Sequence, residues 1–259
     1  MLTFIENLIN FIFRILPQRH PQADSVKKAK LVAHRGAHSY GLKENTLKGF
    51  EFCINHNIWG IEFDIRWTKD HQPILLHDAN AARIYNRPDI IISEITAKNL
   101  RKEIPEIPRL AEVIQHFSGK IHFMIELKEC FPNDSRQIQR LKELLAPLQP
   151  MEDYHFLTIH PAELLPLIDF PRATFLAVSF FNTKSIARFV YEHQFGGHCG
   201  HFLLMTEKLK KRYKEKKIKI GTGYVASQNS LYREINRGVK WIFTNKPIEM
   251  QKILEKMTT

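Results

Sequence analysis

The chain has 259 residues, 44% of them hydrophobic, which is an ordinary composition for a globular protein and enough to bury a full core. Three cysteines without paired spacing argue against a disulfide framework and mildly favour a reducing compartment. Lys and Arg number 38 against 27 Asp and Glu, and the resulting charge of +11 is expected to attract anionic partners such as nucleic acid, anionic lipid or phosphorylated metabolites.

Residues 1–17 predict an amphipathic helix. Its polar side chains gather in one arc of a helical wheel: Thr3, Glu6, Asn7, Asn10 and Arg14. The run ends at Pro17, so it is too short and too polar to span a bilayer, and it lacks the basic start and cleavage site of a signal peptide. Two interpretations stay open. The apolar face docks on the folded body or a second subunit, or it lies in a membrane interface.

A polar linker, residues 18–30, separates this helix from one predicted domain, residues 31–259. In this domain short strand-like runs alternate with longer helical runs. Eight strands are predicted, at 31–33, 59–65, 121–127, 154–159, 173–178, 201–205, 218–224 and 240–243. The helices that follow them are predicted at 46–56, 110–117, 135–145, 162–168, 183–193, 207–216, 229–236 and 248–256.

Eight strand–helix repeats predict an α/β fold of the (β/α)8 TIM-barrel type, because a doubly wound sheet typically uses about five or six strands. One stretch departs from the repeat. Between residues 68 and 109 a short strand at 74–76 and a loop precede the next helix, which we interpret as a small insertion after the second strand. In a TIM barrel it lies on the face where active sites are built.

Carboxylates interrupt the apolar runs of two predicted strands. Glu62 and Asp64 alternate with apolar residues in GIEFDIRW, and Glu126 and Lys128 do the same in MIELK, so each pair shares one strand face. With the apolar faces against the helices, three carboxylates converge in the barrel mouth. Such a cluster needs a cation or must protonate, and oxygen ligands select a hard divalent ion, Mg2+ or Ca2+. Glu62, Asp64 and Glu126 are therefore candidate metal ligands.

The same strand ends carry two histidines and two further cations. His34 and Arg35 follow the first strand, His77 closes the inserted strand, and Lys128 follows Glu126. Arg35 and Lys128 beside a divalent ion make a pocket suited to a phosphate or phosphodiester. One neutral imidazole can take a proton from the nucleophile and one imidazolium can protonate the leaving alkoxide. Each residue alone is usually structural, but their joint occurrence at successive strand ends favours a site for hydrolysis.

Two other motifs have simpler interpretations. The basic run EKLKKRYKEKKIK, residues 207–219, has only Leu209 and Tyr213 at helical spacing for burial and predicts a solvated helix face rather than a binding patch. The run FGGHCGH, residues 195–201, matches no zinc pattern with a fourth ligand nearby. We interpret it as a glycine-rich turn into the sixth strand.

In combination, these motifs resemble the glycerophosphodiester phosphodiesterase family over residues 31–250. The resemblance is carried by His34-Arg35-Gly36, Glu44-Asn45-Thr46, the run 60–78, Ile107-Pro108 with Leu110, Glu126-Leu127-Lys128 and the run 238–247. It implies a TIM barrel that hydrolyses glycerophosphodiesters to an alcohol and glycerol 3-phosphate with one divalent ion, and in that family the glycerol 2-hydroxyl can be the internal nucleophile. The implied roles are acid and base for His34 and His77, phosphate binding for Arg35 and Lys128, and metal binding for Glu62, Asp64 and Glu126.

Two positions depart from the family pattern. Lys43 stands where the family has proline, and Gly223 aligns with a tryptophan, so an aromatic wall is missing and the shape of the substrate is open. A shallow insertion and the N-terminal helix keep a lysophospholipase D-like activity on membrane lysolipids as an alternative.

A second alternative is a non-catalytic phosphodiester-binding protein docked on a membrane. The expected location is cytoplasmic, with peripheral contact at the inner membrane surface through residues 1–17 left open. Nucleic acid is not an expected partner, because no aromatic-interleaved basic motif accompanies the positive charge.

Overall fold

The computed structural model describes residue 9, residues 11–129 and residues 135–258. The strands in this part of the chain are β1 (Leu31–His34), β2 (Gly60–Trp67), β3 (Pro73–Leu75), β4 (Asn80–Ala81), β5 (Arg87–Ile91), β6 (His122–Leu127), β7 (Tyr154–Thr158), β8 (Phe175–Ser179), β9 (Gly197–His201), β10 (Lys219–Gly223) and β11 (Trp241–Thr244). Eight of them pair in parallel in the order β1-β11-β10-β9-β8-β7-β6-β2, and β2 pairs with β1, which closes the ring. This confirms the predicted TIM barrel.

Most helices cover the outside of the ring, and two belong to the insertion after β2. The α-helices are α1 (Ala23–Lys27), α2 (Leu47–Asn55), α3 (Ala82–Tyr85), α4 (Ala97–Glu103), α5 (Leu110–Phe117), α6 (Ser135–Leu145), α7 (Thr183–His193), α8 (Glu207–Lys214), α9 (Gln228–Asn236) and α10 (Pro247–Thr258). Helix α8 carries the basic run, and its Tyr213 is buried while most of its lysines are exposed, so this helix presents the solvated face that the sequence predicts.

Alternation along the strands divides the apolar side chains between two clusters. In β2, Ile61, Phe63 and Ile65 are fully buried between the ring and the helices. A smaller cluster fills the inside of the ring: Val32, Met124, Leu157, Leu176, Cys199, Trp241 and Phe243. Glu62 and Asp64 alternate with the outer set, so they point into the barrel.

The insertion after β2 is a small layer with its own core. Strand β3 pairs antiparallel with the end of β2, and β4 and β5 form a two-stranded ribbon. Buried apolar side chains hold this layer together: Ile74, Leu76, Ala81, Ile90, Ile92, Leu100, Ile104 and Ile107. The predicted insertion is therefore present, at the C-terminal end of β2.

The N-terminal region is attached to the barrel. Residues 11–15 are helical, whereas residues 1–8 and 10 of the predicted amphipathic helix lie outside the described residues. Residues 18–30, predicted as a polar linker, contain α1, because Val26 is apolar and packs into the outer core with 4% of its surface exposed. Among the described residues, no helix is long and apolar enough to cross a membrane.

The predicted sixth strand, at 201–205, is wrong by four residues. The strand is β9, at Gly197–His201, so the last five residues of the run FGGHCGH form the strand rather than a turn before it. Its glycines permit close packing of the barrel. A Cβ at Gly197 would lie 2.7 Å from Trp241 Cζ3 and 2.8 Å from Leu176 Cδ2.

The predicted helix at 162–168 is also wrong. The chain forms a short 3-10 helix, Pro161–Leu164, and then turns. Pro166 has no amide hydrogen to donate, so the hydrogen-bond ladder of an α-helix cannot continue through it. The amide hydrogens of Leu165 and Leu167 are donated to residues three positions earlier, which is the 3-10 pattern.

Candidate active site

The C-terminal ends of β1, β2 and β6 bring the predicted acids together. Strand pairing places His34 beside Glu62, and Asp64 beside Glu126. One carboxylate oxygen from each of Glu62, Asp64 and Glu126 lies within 4.8 Å of the other two. Three acids from two neighbouring strands therefore form one cluster inside the barrel mouth.

The three carboxylates are buried and differ in their proton affinity. Burial and the charges of Asp64 and Glu126 raise the pKa of Glu62, and burial also raises the pKa of Glu126 although Lys128 opposes it. Burial would raise the pKa of Asp64 as well, but Lys128 and Arg35 outweigh this effect and lower it to about 2. Oxygen Oε1 of Glu62 has no hydrogen-bond partner. The cluster therefore has more negative charge than its neighbours neutralise.

Two cations contact this cluster. Lys128 Nζ lies 2.9 Å from both Asp64 Oδ1 and Glu126 Oε1. Arg35 Nε lies 3.2 Å from Asp64 Oδ2, and the Arg35 backbone amide donates to Glu62 Oε2 at 3.0 Å. The Arg35 amide reaches the acid because the turn after β1 is left-handed at Arg35 and Gly36, with φ of 54° and 77°. The cations and acids hold one another in place before any ligand binds.

Asn45 and Glu44 add contacts that the sequence did not assign. The Asn45 side chain donates to Asp64 Oδ2 at 2.8 Å and accepts from the Asp64 amide at 3.2 Å. Glu44 accepts from Arg35 through both carboxylate oxygens, at 3.2 and 3.3 Å. The motif Glu44-Asn45-Thr46 was the available signal, since it belongs to the family resemblance without an assigned role.

His34 lies at the edge of the acid cluster. Its Nδ1 is 2.7 Å from Asn245 Oδ1, and its Nε2 is 3.8 Å from Glu62 Oε2. Burial and the Arg35 charge lower the pKa of His34 to about 4. An amide oxygen is an acceptor, so Nδ1 carries the hydrogen and Nε2 of the neutral ring keeps a lone pair.

His77 is held by residues of the insertion. Its Nδ1 is 2.7 Å from Asp78 Oδ1, and Asp78 Oδ2 accepts from Arg83 Nε at 2.6 Å. The remaining nitrogens of Arg83 donate to Glu44 at 2.7 and 3.0 Å. Arg83 thus joins the carboxylate that holds His77 to the carboxylate that holds Arg35. No sequence signal marked Arg83, whereas Asp78 was visible beside His77.

A cleft of about 240 Å³ opens above the acid cluster. Six of the seven predicted site residues line it: His34, Arg35, Glu62, His77, Glu126 and Lys128. Asp64 is fully buried behind Arg35 and Lys128. The rest of the lining is largely apolar and includes Leu157, Ile159, Val178, Phe180, Tyr224 and Phe243. A charged head group and an apolar or extended substituent would therefore meet different walls.

Gly223 and Lys43, the two departures from the family pattern, lie in different parts of the structure. Gly223 lines the cleft, and the nearest atom to a Cβ built there is 3.9 Å away, so the cleft is open at this point. Lys43 lies on the insertion side. Its Nζ is 2.6 Å from Glu106 Oε2 and 4.6 Å from the centre of the Tyr85 ring. Lys43 is therefore paired within the insertion rather than offered to the cleft.

The part of the chain that carries these residues is similar to a known protein family. The model of the glycerophosphoryl diester phosphodiesterase family matches residues 34–152, a segment that contains all seven predicted site residues. Residues 34–152, which contain the site, are therefore similar to this family. The resemblance predicted from the motifs is therefore confirmed.

Family relatives align with part of the chain. A Bacillus subtilis (strain 168) protein provisionally named a glycerophosphodiester phosphodiesterase is 32% identical over 109 residues, which are 38% of this chain and 44% of that protein. Human glycerophosphodiester phosphodiesterase 1 is 32% identical over 95 residues, which are 32% of this chain and 28% of that protein. The aligned part of the chain spans less than half the length of either relative.

Solved structures of the family share the fold over most of the chain. The glycerophosphodiester phosphodiesterase of Thermotoga maritima has a TM-score of 0.71 at 19% identity and covers 87% of this chain and 98% of its own. An Oleispira antarctica phosphodiesterase, solved with the product sn-glycerol-3-phosphate, has a TM-score of 0.72 at 19% identity and covers 87% and 96%. At 19% identity these structures show that the chain shares their fold, a TIM barrel.

Proposed function

We propose that this chain is a metal-dependent phosphodiesterase that hydrolyses glycerophosphodiesters to an alcohol and glycerol 3-phosphate. The observation that carries the proposal is the convergence of three buried carboxylates with two histidines and two cations around one cleft. The similarity of residues 34–152 to the family supports the reaction type. We further propose that residues 31–259 form the catalytic domain.

The acid cluster fits one hard divalent cation. Its three carboxylates are buried, Glu62 Oε1 has no hydrogen-bond partner, and the pKa values of Glu62 and Glu126 are raised by burial. An added positive charge would relieve each of these features. Glu62, Asp64 and Glu126 would hold Mg2+ or Ca2+. When bound, the ion supplies a Lewis acid that polarises a phosphoryl oxygen.

Arg35 and Lys128 would bind the phosphate oxygens. Both line the cleft, and both already contact the carboxylates at its base. Burial favours loss of the proton from Lys128, but Glu126 and Asp64 outweigh it and raise its pKa, so the ammonium stays charged. Two fixed cations would stabilise the charge that develops on the phosphoryl group in the transition state.

His34 and His77 would serve as the acid/base pair. Nδ1 of His34 is hydrogen-bonded to Asn245, and Nδ1 of His77 is hydrogen-bonded to Asp78. These hydrogen bonds orient the rings and leave Nε2 of each ring for a reacting group. One ring would take the proton of the nucleophile, for which the glycerol 2-hydroxyl is suited, and the other would protonate the leaving oxygen. Groups with these roles typically contribute about 10²- to 10⁴-fold to the rate.

Turnover of glycerophosphocholine and glycerophosphoethanolamine, with Mg2+ or Ca2+ and with or without chelator, tests the proposal. We expect glycerol phosphate to be released only with an ion, and His34→Ala and His77→Ala to lose activity while staying folded. A diester with a p-nitrophenol leaving group then assigns the pair, since only the variant that lacks the acid should recover on it. No glycerol phosphate under any condition would favour the non-catalytic, phosphodiester-binding alternative.

The apolar wall favours lysolipids as a second class of substrate. Phe180 and Tyr224 line the cleft beside the open position at Gly223, and a lysolipid carries an acyl chain next to its phosphodiester. We therefore propose lysophospholipase D-like activity as the alternative within the same site. A cytoplasmic location and peripheral membrane contact through residues 1–17 belong to this proposal.

A further inference from the structure

An exposed apolar surface lies on one side of the cleft mouth. We call it the apolar rim and define it as residues 11–16, 180–184, 202–206 and 224–227. The last three segments follow β8, β9 and β10, which are neighbours in the ring, so they lie side by side at its C-terminal end. The exposed large apolar side chains of the rim are Phe11, Ile12, Ile15, Leu16, Phe180, Phe181 and Leu203.

The N-terminal helical segment is part of this rim because specific contacts attach it there. The Phe13 ring meets the Phe202 ring edge to face, with centroids 5.0 Å apart. Ser227 Oγ donates to the Phe13 carbonyl at 3.2 Å, and the Asn229 side chain donates to the Arg14 carbonyl at 3.0 Å. One side of the segment therefore packs against the barrel through half-buried Phe13, while Ile15 stays 65% exposed.

Charge distinguishes the rim from the rest of the mouth. Its four segments contain Arg14 and Lys184 but no carboxylate, in a chain with 27 acidic residues. The acid that follows the rim in sequence, Glu207, is held by Lys210 and Arg237. On the insertion side, by contrast, acids and bases form surface ion pairs. A surface that is apolar, basic and free of acids matches the interface of an anionic bilayer.

We propose that the apolar rim docks this protein on the surface of an anionic lipid bilayer, with the cleft opening toward the lipid. This proposal rests on the proposed function, because a lysolipid in a bilayer presents its phosphodiester at the lipid–water interface. Phe180 belongs to both the rim and the cleft wall, so the surface that enters the interface is continuous with the site. Docking would present membrane lysolipids to the acid cluster without extraction into water.

Vesicle flotation tests the docking directly. We expect the full chain to float with vesicles of phosphatidylcholine mixed with phosphatidylglycerol, and less with phosphatidylcholine alone. The combined variant Ile15→Ser, Phe181→Ser and Leu203→Ser should lower the bound fraction by at least about tenfold, because three apolar side chains leave the interface. The matched control is Ile168→Ser, which alters a side chain that is 79% exposed on the connection leading into β8, away from the rim.

Charge reversal tests the preference for anionic lipid. Lys184→Glu should lower binding to the mixed vesicles by at least about fivefold, since a basic residue near the surface contributes at this level. Lys120→Glu is its control, because exposed Lys120 lies in the turn before β6, at the opposite end of the barrel. Equal losses from Lys184→Glu and Lys120→Glu would overturn the assignment of the surface.

Two other results would also overturn the proposal. One is the absence of wild-type binding to mixed vesicles, and the other is a dimer in light scattering that only the rim variants dissociate, since a second copy would then cover the rim. Hydrolysis of water-soluble glycerophosphocholine is measured in parallel and should be unchanged in the combined variant. Vesicle binding without any hydrolysis would refute the proposed function and leave the docking intact.

Discussion

Arg83 shows how one side chain of the insertion controls the site. It donates to Asp78, which holds His77, and to Glu44, which holds Arg35. Its guanidinium can bind two carboxylates in fixed geometry, which an ammonium cannot. His77 and Arg35, to which we assign acid/base and phosphate-binding roles, are therefore positioned by one residue through its two carboxylate partners.

The first prediction concerns Arg83. Arg83→Ala should lower kcat by about 10- to 100-fold, because both carboxylates lose the donor that positions them. Arg83→Lys should recover only part of this loss. The measurement is kcat and KM on glycerophosphocholine, with Arg87→Ala as the control, since Arg87 pairs on the surface of the same insertion with Asp89 and Glu103. Equal activity of Arg83→Ala and wild type would show that His77 needs no such support.

The floor of the barrel contains a second group of buried histidines. His122 Nε2 lies 2.8 Å from His155 Nδ1, and His122 Nδ1 donates to the Glu152 carbonyl. Burial lowers the pKa of His122 to about 4, and burial together with the charges of His122 and Lys30 lowers that of His155 to about 3. Both rings are therefore neutral in the folded protein at neutral pH.

The second prediction is a loss of stability in acid. A histidine in the unfolded chain has a pKa near 6.5, so the unfolded chain binds a proton before the folded protein does as the pH falls. The contribution of neutral His155 to the free energy of unfolding is therefore complete above about pH 6.5 and is lost below it. Between pH 7 and pH 5 the loss from His155 is about 2 kcal/mol. The free energy of unfolding, measured in urea at pH 7 and pH 5, should therefore fall between the two pH values by about 2 kcal/mol more in wild type than in His155→Gln. A parallel pair of curves would contradict it, and exposed His116→Gln serves as the control.

At the level of elements, β9 shows how glycine shapes the barrel. A side chain at Gly197 would collide with Trp241 and Leu176 inside the ring, whereas a Cβ at Gly223 on neighbouring β10 has nothing closer than 3.9 Å. The third prediction is that Gly197→Ala lowers the free energy of unfolding by about 1 to 3 kcal/mol, the usual effect of overpacking a core. Gly223→Ala should change it little. Urea denaturation measures both, and similar values for the two variants would refute the packing argument.

The sequence predicts elements well where one face of a strand or helix is apolar. Alternation in GIEFDIRW marked β2 and the inward direction of Glu62 and Asp64. The same reasoning failed at β9, because glycine carries no side chain and leaves no alternation to detect. It failed at residues 162–168 because an apolar run suggested a helix that Pro166 prevents.

At the scale of the whole molecule, the site depends on contacts that no local pattern contains. His34 and Asn245 are separated by 211 positions, and Glu44 and Arg83 by 39. Strand ends predicted which acids and histidines converge, since parallel strands share one C-terminal face. The residues that orient them come from distant loops, and only the folded barrel shows that Asn245 and Arg83 lie beside the histidines.

An ion held by the acid cluster would also stabilise the barrel, because Glu62 and Asp64 lie on β2 and Glu126 lies on β6, its neighbour in the ring. The fourth prediction is that Mg2+ or Ca2+ at about 100 times its Kd raises the Tm of the chelated protein by about 5 to 10 °C. Glu62→Gln should abolish this shift, while its own ion-free Tm equals or exceeds that of wild type, since a buried like charge is removed. Asp169→Asn, an acid that pairs with Lys142 far from the cluster, should keep the full shift. An ion-induced shift of equal size in Glu62→Gln would show that the ion binds elsewhere.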